Sequence, residues 1–174
     1  MASSKRKGWD MGVNYEDVRK RLLKALREAR GKKRVYISIL YIQLVNGLRV
    51  GEAVYAFKRF LRTGEREFEI QAQKRGRSRP VFIPPEIQAR EEYKWLLEID
   101  PQLLRRRLYW HARRTLGCNT HSLRYALISY LGRRGVAAQV IAKITGHRKL
   151  DRIIDYTREQ LAREILRQLS GLKR

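Results

Sequence analysis

The sequence predicts an α+β domain, mostly α-helical with a small antiparallel sheet. Three observations carry that prediction: apolar stripes at helical spacing over most of the chain, one short pair of alternating segments joined by a polar turn, and a length of 174 residues, which suits one domain and is short for two.

Residues 1–14 combine charge, glycine and asparagine without periodicity, and they are expected to form a flexible basic arm ahead of a domain spanning 15–174. Tyr15 to Arg30 places Val18, Leu22, Leu23 and Leu26 on one helical face, and Val35 to Gly47 is a second apolar helical stretch stopped by a glycine. Two helices are therefore expected before Leu48, and Tyr36, Tyr41 and Tyr55 read as core. The next expected element is a hairpin: Glu67 to Gln73 alternates through Phe68, Ile70 and Ala72, Pro80 to Ile83 returns, and KRGRSR makes the turn. After Pro84-Pro85, helices are expected over Glu86 to Ile99 and over Gln102 to Leu116, the latter started by Pro101. Asn119 or Thr120 caps a helix from His121 to Leu131, broken by Gly132 and Gly135. Val136, Ala137, Val140, Ile141 and Ile144 stripe the next helix, which Gly146 ends, and a last helix from Arg158 to Leu169 carries Leu161, Ile165, Leu166 and Leu169 on one side.

Forty Lys plus Arg against seventeen Asp plus Glu give a formal charge of +23. Such an excess repels itself in the compact state unless a polyanion offsets it, so the expected partner is nucleic acid. The other reading is a basic ribosomal-type protein or a merely soluble surface, but 43% hydrophobic residues in periodic segments argue against a disordered basic tail. Cys118 is the only cysteine, which leaves no intramolecular disulfide and no cysteine metal cluster, as suits a reducing cytoplasm. No apolar run reaches the roughly 20 residues that span a bilayer, and the basic N-terminus lacks the apolar stretch of a secretion signal. No membrane partner is expected.

Transfer of a phosphodiester without a metal needs cations around the phosphate, an aligned nucleophile and an acid for the departing oxygen. Arg49 stands in GLRVGEA directly after a helix end, where a guanidinium can hold two phosphate oxygens at once. His121 and Arg124 form HSLR at a helix start, and their spacing of three puts them on one face. Gly146-His147 closes a helix, and Tyr156 follows nine residues later as the only tyrosine beyond it. Each motif alone reads as an ordinary surface or core feature.

In this order and spacing, Arg49, HSLR, Gly-His and Tyr156 resemble the tyrosine recombinases, the family of phage integrases, Cre and the Xer proteins. The resemblance runs from about Val35 to Tyr156. It implies that Arg49 and Arg124 clamp the phosphate, that His121 assists proton transfer, that His147 hydrogen-bonds the phosphate, and that Tyr156 is the nucleophile forming a 3′-phosphotyrosyl bond. The family's hairpin lysine, which protonates the leaving oxygen, is matched by Lys74, the only lysine between Lys58 and Lys94. Arg75, Arg77 and Arg79 share its turn and are read as DNA phosphate contacts. Glu52 follows the family's glutamate after the arginine and is read as orienting Arg49 or a neighbour, or as purely structural.

The implied activity is site-specific recombination or integration on double-stranded DNA, with no cofactor, no metal and no small-molecule substrate, by protomers assembled as dimers or tetramers. The setting implied is the cytoplasm, at the nucleoid, in a prokaryotic, viral or plasmid system. The segment after the nucleophile is expected to pack either on its own domain or on a second copy. The family's N-terminal core-binding domain is expected to be absent, since about thirty residues precede the first matching helix. The chain then reads either as an excised catalytic domain or as a minimal member. Two alternatives accompany this reading: DNA relaxation of the type IB topoisomerase kind, which shares the residue set, and a DNA-binding module without catalysis.

Overall fold

The computed structural model describes residues 12–71, 78–147, 153–154, 162 and 165–171. Among them the fold is mostly helical with one two-stranded antiparallel sheet, as expected. Helix α1 (Tyr15–Glu28) opens on Asn14, whose side chain accepts from the Asp17 amide at 3.1 Å, and it buries Val18, Leu22 and Leu26. Helix α2 (Gly31–Asn46) is apolar on nearly every side, so it lies at the centre: Val35, Ile39, Leu40, Ile42 and Leu44 are fully buried.

Gly47 ends α2 in the left-handed region at φ +61°. A Cβ there would lie 3.0 Å from both Leu127 and Thr145, so glycine is required by conformation and by space together. The chain turns at once into α3 (Val50–Thr63), a helix the sequence reading did not anticipate. Its apolar period, Ala53, Val54, Phe57 and Phe60, is regular and buried. The segment at its head, however, reads Gly-Leu-Arg-Val-Gly-Glu, which hides the start.

Strands β1 (Glu67–Gln71) and β2 (Ser78–Phe82) pair with Phe68 opposite Val81 and Ile70 opposite Arg79, and all four face inward. The Asn46 side chain grips β2 on its other edge, donating to the Phe82 carbonyl and accepting from the Phe82 amide, each at 2.9 Å. The end of α2 and the hairpin are thereby joined.

The expected helix over Glu86 to Ile99 is corrected. Residues 87–90 are non-helical, and only a 3-10 turn (Glu91–Tyr93) and the short α4 (Trp95–Glu98) follow. The buried residues are Ile87, Tyr93 and Leu96. On one continuous helix the face holding Ile87 would also carry Arg90 and Glu91, so that helix had no clean apolar side.

Helix α5 (Pro101–Leu116) starts on Pro101 with Asp100 accepting from the Leu103 amide at 2.7 Å. Helix α6 (Thr120–Arg133) is capped by Asn119, whose side chain accepts from the Ser122 amide at 2.9 Å. It runs through Gly132, and the break falls instead at Gly135, φ +75°. Helix α7 (Ala138–Thr145) ends at Gly146 and buries Ile141, Ala142 and Thr145, while Val140 faces solvent. Tyr41 is core, but Tyr55 is exposed. Residues 165–169 are helical, and Ile165, Leu166 and Leu169 are exposed, the last two at 66% and 80%. Among the described residues no helix is long and apolar enough to cross a membrane.

Candidate active site

The site forms where the ends of α2, α6 and α7 meet the hairpin. Arg49 is the first residue before α3, and the carboxylate of Glu52, three residues on, reaches back to the Arg49 amide at 2.7 Å and to the Arg49 guanidinium at 3.1 Å. That folds the turn so that Arg49 points outward, partly exposed, over a buried carboxylate.

Glu52 is the hub. Its second oxygen also binds the Arg79 guanidinium and lies 4.0 Å from that of Arg124. Arg124, on the first turns of α6, is 1% exposed and donates to the Gly47 carbonyl at 2.9 Å. Among the described residues, three guanidiniums thus share one carboxylate, leaving two formal positive charges without a counter-ion.

The titration behaviour follows from that imbalance. Burial pushes the Arg124 guanidinium down to about 9; Arg49 and Arg79 add to the effect and Glu52 opposes it. Burial and the same arginines push His147 down to about 3, so its ring is neutral at ordinary pH. His121 sits at the rim, edge-on to Tyr125 with ring centres 5.0 Å apart. Desolvation first, then Arg124 and Arg49, lowers its pKa too.

His147 follows Gly146 and meets Arg124 Nη2 at 3.1 Å from Nδ1 and 3.2 Å from Nε2, and its Nδ1 lies 2.7 Å from the Thr145 hydroxyl. The Arg49–Glu52 turn, Arg124 and His147, distant from one another in sequence, are therefore one connected cluster, with His121 inside its electrostatic range. Lys74, Arg75, Arg77 and Tyr156 lie outside the described residues.

The sequence is 46% identical over 166 residues to the "Putative integrase ORF241" of Acidianus two-tailed virus, an alignment covering 93% of this chain and 69% of that protein. The chain belongs to the tyrosine recombinase and integrase family. No protein-family model matches the sequence. The fold of this chain is similar to that of the site-specific recombinase XerH, with a TM-score of 0.64 at 16% identity, over 99% of this chain and 55% of that one. It is also similar to XerA recombinase, with a TM-score of 0.56 at 20% identity, over 91% of this chain and 64% of that one. The chain thus spans less than two thirds of either solved recombinase.

Arg79 needs a correction. It is 0% exposed, and besides Glu52 it donates to the Ile144 carbonyl at 3.1 Å, so it is an internal strut and not a surface phosphate contact. A strand beginning at Pro80 leaves this arginine in the turn, whereas the alternation Arg79, Val81, Ile83, one residue longer, places it inward. Thr145 and an aromatic cleft on α5 were also missed. The cleft, about 610 Å³, is lined by Tyr36, Arg106, Arg107, Trp110 and Arg114. Trp110 is 56% exposed, and Leu103, Arg107, Trp110 and Arg114 fall at helical spacing, a signal present in the sequence.

Proposed function

We propose that this integrase-family chain cleaves and rejoins double-stranded DNA at specific sites through a 3′-phosphotyrosyl intermediate on Tyr156. The observation that carries the reading is the cationic surplus around Glu52 among the described residues: a cluster of three arginines around one carboxylate costs free energy until an anion joins it, and a phosphodiester supplies that anion.

In this reading Arg49 and Arg124 bind the two nonbridging oxygens, and Arg79 holds the carboxylate beneath them. Ile153 is buried against α6 and α7 with Tyr125, Ile128 and Ile141. The phenolate of Tyr156 attacks phosphorus, the bond to the 5′ oxygen breaks, and that oxygen takes a proton from Lys74. His121 accepts the phenol proton. Because the phosphotyrosyl bond keeps the energy of the phosphodiester, a second 5′-hydroxyl can reverse the step and reseal the strand.

The +23 charge and the arginine-lined cleft on α5 support a DNA partner. One of the solved neighbours, XerH, is itself described as bound to its palindromic difH substrate in a post-cleavage complex. The exposed stripe Ile165, Leu166 and Leu169 supports assembly of several copies on DNA.

The decisive experiment uses a nicked duplex that traps covalent adducts, resolved on a denaturing gel. The wild-type chain is expected to form an adduct, and Tyr156→Phe to form none while still shifting the same duplex. An adduct undiminished in the phenylalanine variant overturns the assignment.

A further inference from the structure

Thr145 ends α7 fully buried, with a hydroxyl that stands 2.7 Å from the Ile141 carbonyl and 2.7 Å from His147 Nδ1. A hydroxyl has one hydrogen to give. A carbonyl can only accept, so when that hydrogen goes to Ile141 the Thr145 oxygen serves His147 as an acceptor, and Nδ1 must carry the ring proton. Arg124 cannot accept either. Its Nη2 stands 3.1 Å from Nδ1 and 3.2 Å from Nε2, and with the ring proton on Nδ1 only Nε2 can accept from it. A neutral ring supplies that acceptor, in keeping with a His147 held neutral far below pH 7.

In this tautomer, however, His147 offers the site a lone pair and no hydrogen. It can restrain Arg124 but cannot donate to a phosphate oxygen. Turning the Thr145 hydroxyl from Ile141 to Nδ1 inverts the arrangement: Nδ1 becomes the acceptor, its proton is lost to water, Nε2 gains one from water, and the ring stays neutral.

We propose that Thr145 is a positioning residue whose hydroxyl decides which nitrogen of His147 carries the proton, so that His147 restrains Arg124 before DNA binds and donates to the phosphate afterwards. The role of His147 toward phosphate rests on the function proposed above, whereas the tautomer itself can be observed without any activity.

Two substitutions separate this role from packing. Thr145→Val keeps the branched shape that lies against Gly47 but removes the hydroxyl, and Thr145→Ser keeps the hydroxyl but removes the methyl group. The chain has three histidines, so side-chain ¹⁵N NMR spectra of the full-length protein can be assigned by removing each ring in turn. Without DNA, His147 of the wild type is expected to show a protonated Nδ1 and a bare Nε2, and a duplex site is expected to shift the proton to Nε2. Thr145→Ser should keep that behaviour and cleave within about threefold of wild type, whereas Thr145→Val should lose the Nδ1 preference and cleave about tenfold more slowly at saturating DNA with KM unchanged.

A DNA-free His147 protonated at Nε2, a tautomer indifferent to DNA, or a Thr145→Val protein with wild-type spectra and rate each overturns the proposal. Should Thr145→Val not fold, the wild-type spectra with and without DNA decide alone. A protein with the expected tautomer but no covalent adduct would sink the function and leave the hydrogen-bond assignment standing.

Discussion

Arg79 on β2 and Glu52 in the first turn of α3 form a buried ion pair that joins the hairpin to the turn bearing Arg49. Loss of Arg79 leaves Glu52 its bonds to Arg49, whereas loss of Glu52 strands the Arg79 charge away from water. Glu52→Gln is therefore expected to lower the free energy of unfolding by about 3 kcal/mol in urea titrations. The double variant with Arg79→Met should be destabilised by much less than the sum of the two single changes. Strict additivity would show that the two side chains are not coupled.

Lys74, as the proposed acid, should matter only when the departing oxygen needs a proton. Lys74→Ala is expected to slow cleavage of ordinary DNA by about a hundredfold or more. A duplex with sulfur in the 5′-bridging position, a leaving group that departs without protonation, should be cut nearly as fast as by wild type. Equal slowing on both substrates would move the acid to another residue.

The histidines should make the DNA-free protein sensitive to acid. His147 is neutral in the folded chain down to about pH 3, whereas a free ring titrates near 6.5. Between those values the unfolded chain binds a proton that the folded chain does not, so stability falls as pH drops and recovers as it rises. His111 and His121 are displaced in the same direction. The melting temperature should decline from pH 7 to pH 4, and less steeply in His147→Gln. A flat profile in the wild type would contradict the buried neutral ring.

The stripe near the C-terminus is open to solvent within one chain, Leu166 and Leu169 most of all. Replacing both by Glu should change unfolding stability by less than about 0.5 kcal/mol, as for other exposed positions. If the stripe docks on a second copy, the same variant should bind a single site normally yet fail to form larger complexes in gel-shift and sedimentation experiments. A variant that melts far below wild type would instead mark this helix as part of its own core.

What could be read in the sequence depended on how local its cause was. Asn119, Pro101, Gly47 and Gly146 stop or start helices by short-range chemistry, and each stands where that chemistry put it. Arg49, Arg124 and His147 were recognisable from their order, and their convergence then followed from the ends of α2, α6 and α7 meeting. Arg79 was misjudged because an arginine in a basic turn is ordinarily solvated. The carboxylate of Glu52, 27 residues away in sequence, together with the Ile144 and Gly47 carbonyls, makes its burial tolerable. The interrupted segment after Pro85 failed for a related reason: Ile87, Tyr93 and Leu96 are all core, but they reach it by separate short turns.

Gly47 also has a practical meaning for anyone diversifying this protein. Two arginines hold its carbonyl, Leu127 and Thr145 close the space where a side chain would begin, and its backbone lies in a region that other residues resist. A mutant library should keep position 47 constant and place its variation at solvent-facing positions such as Tyr55 and Phe82, where a new side chain displaces only water.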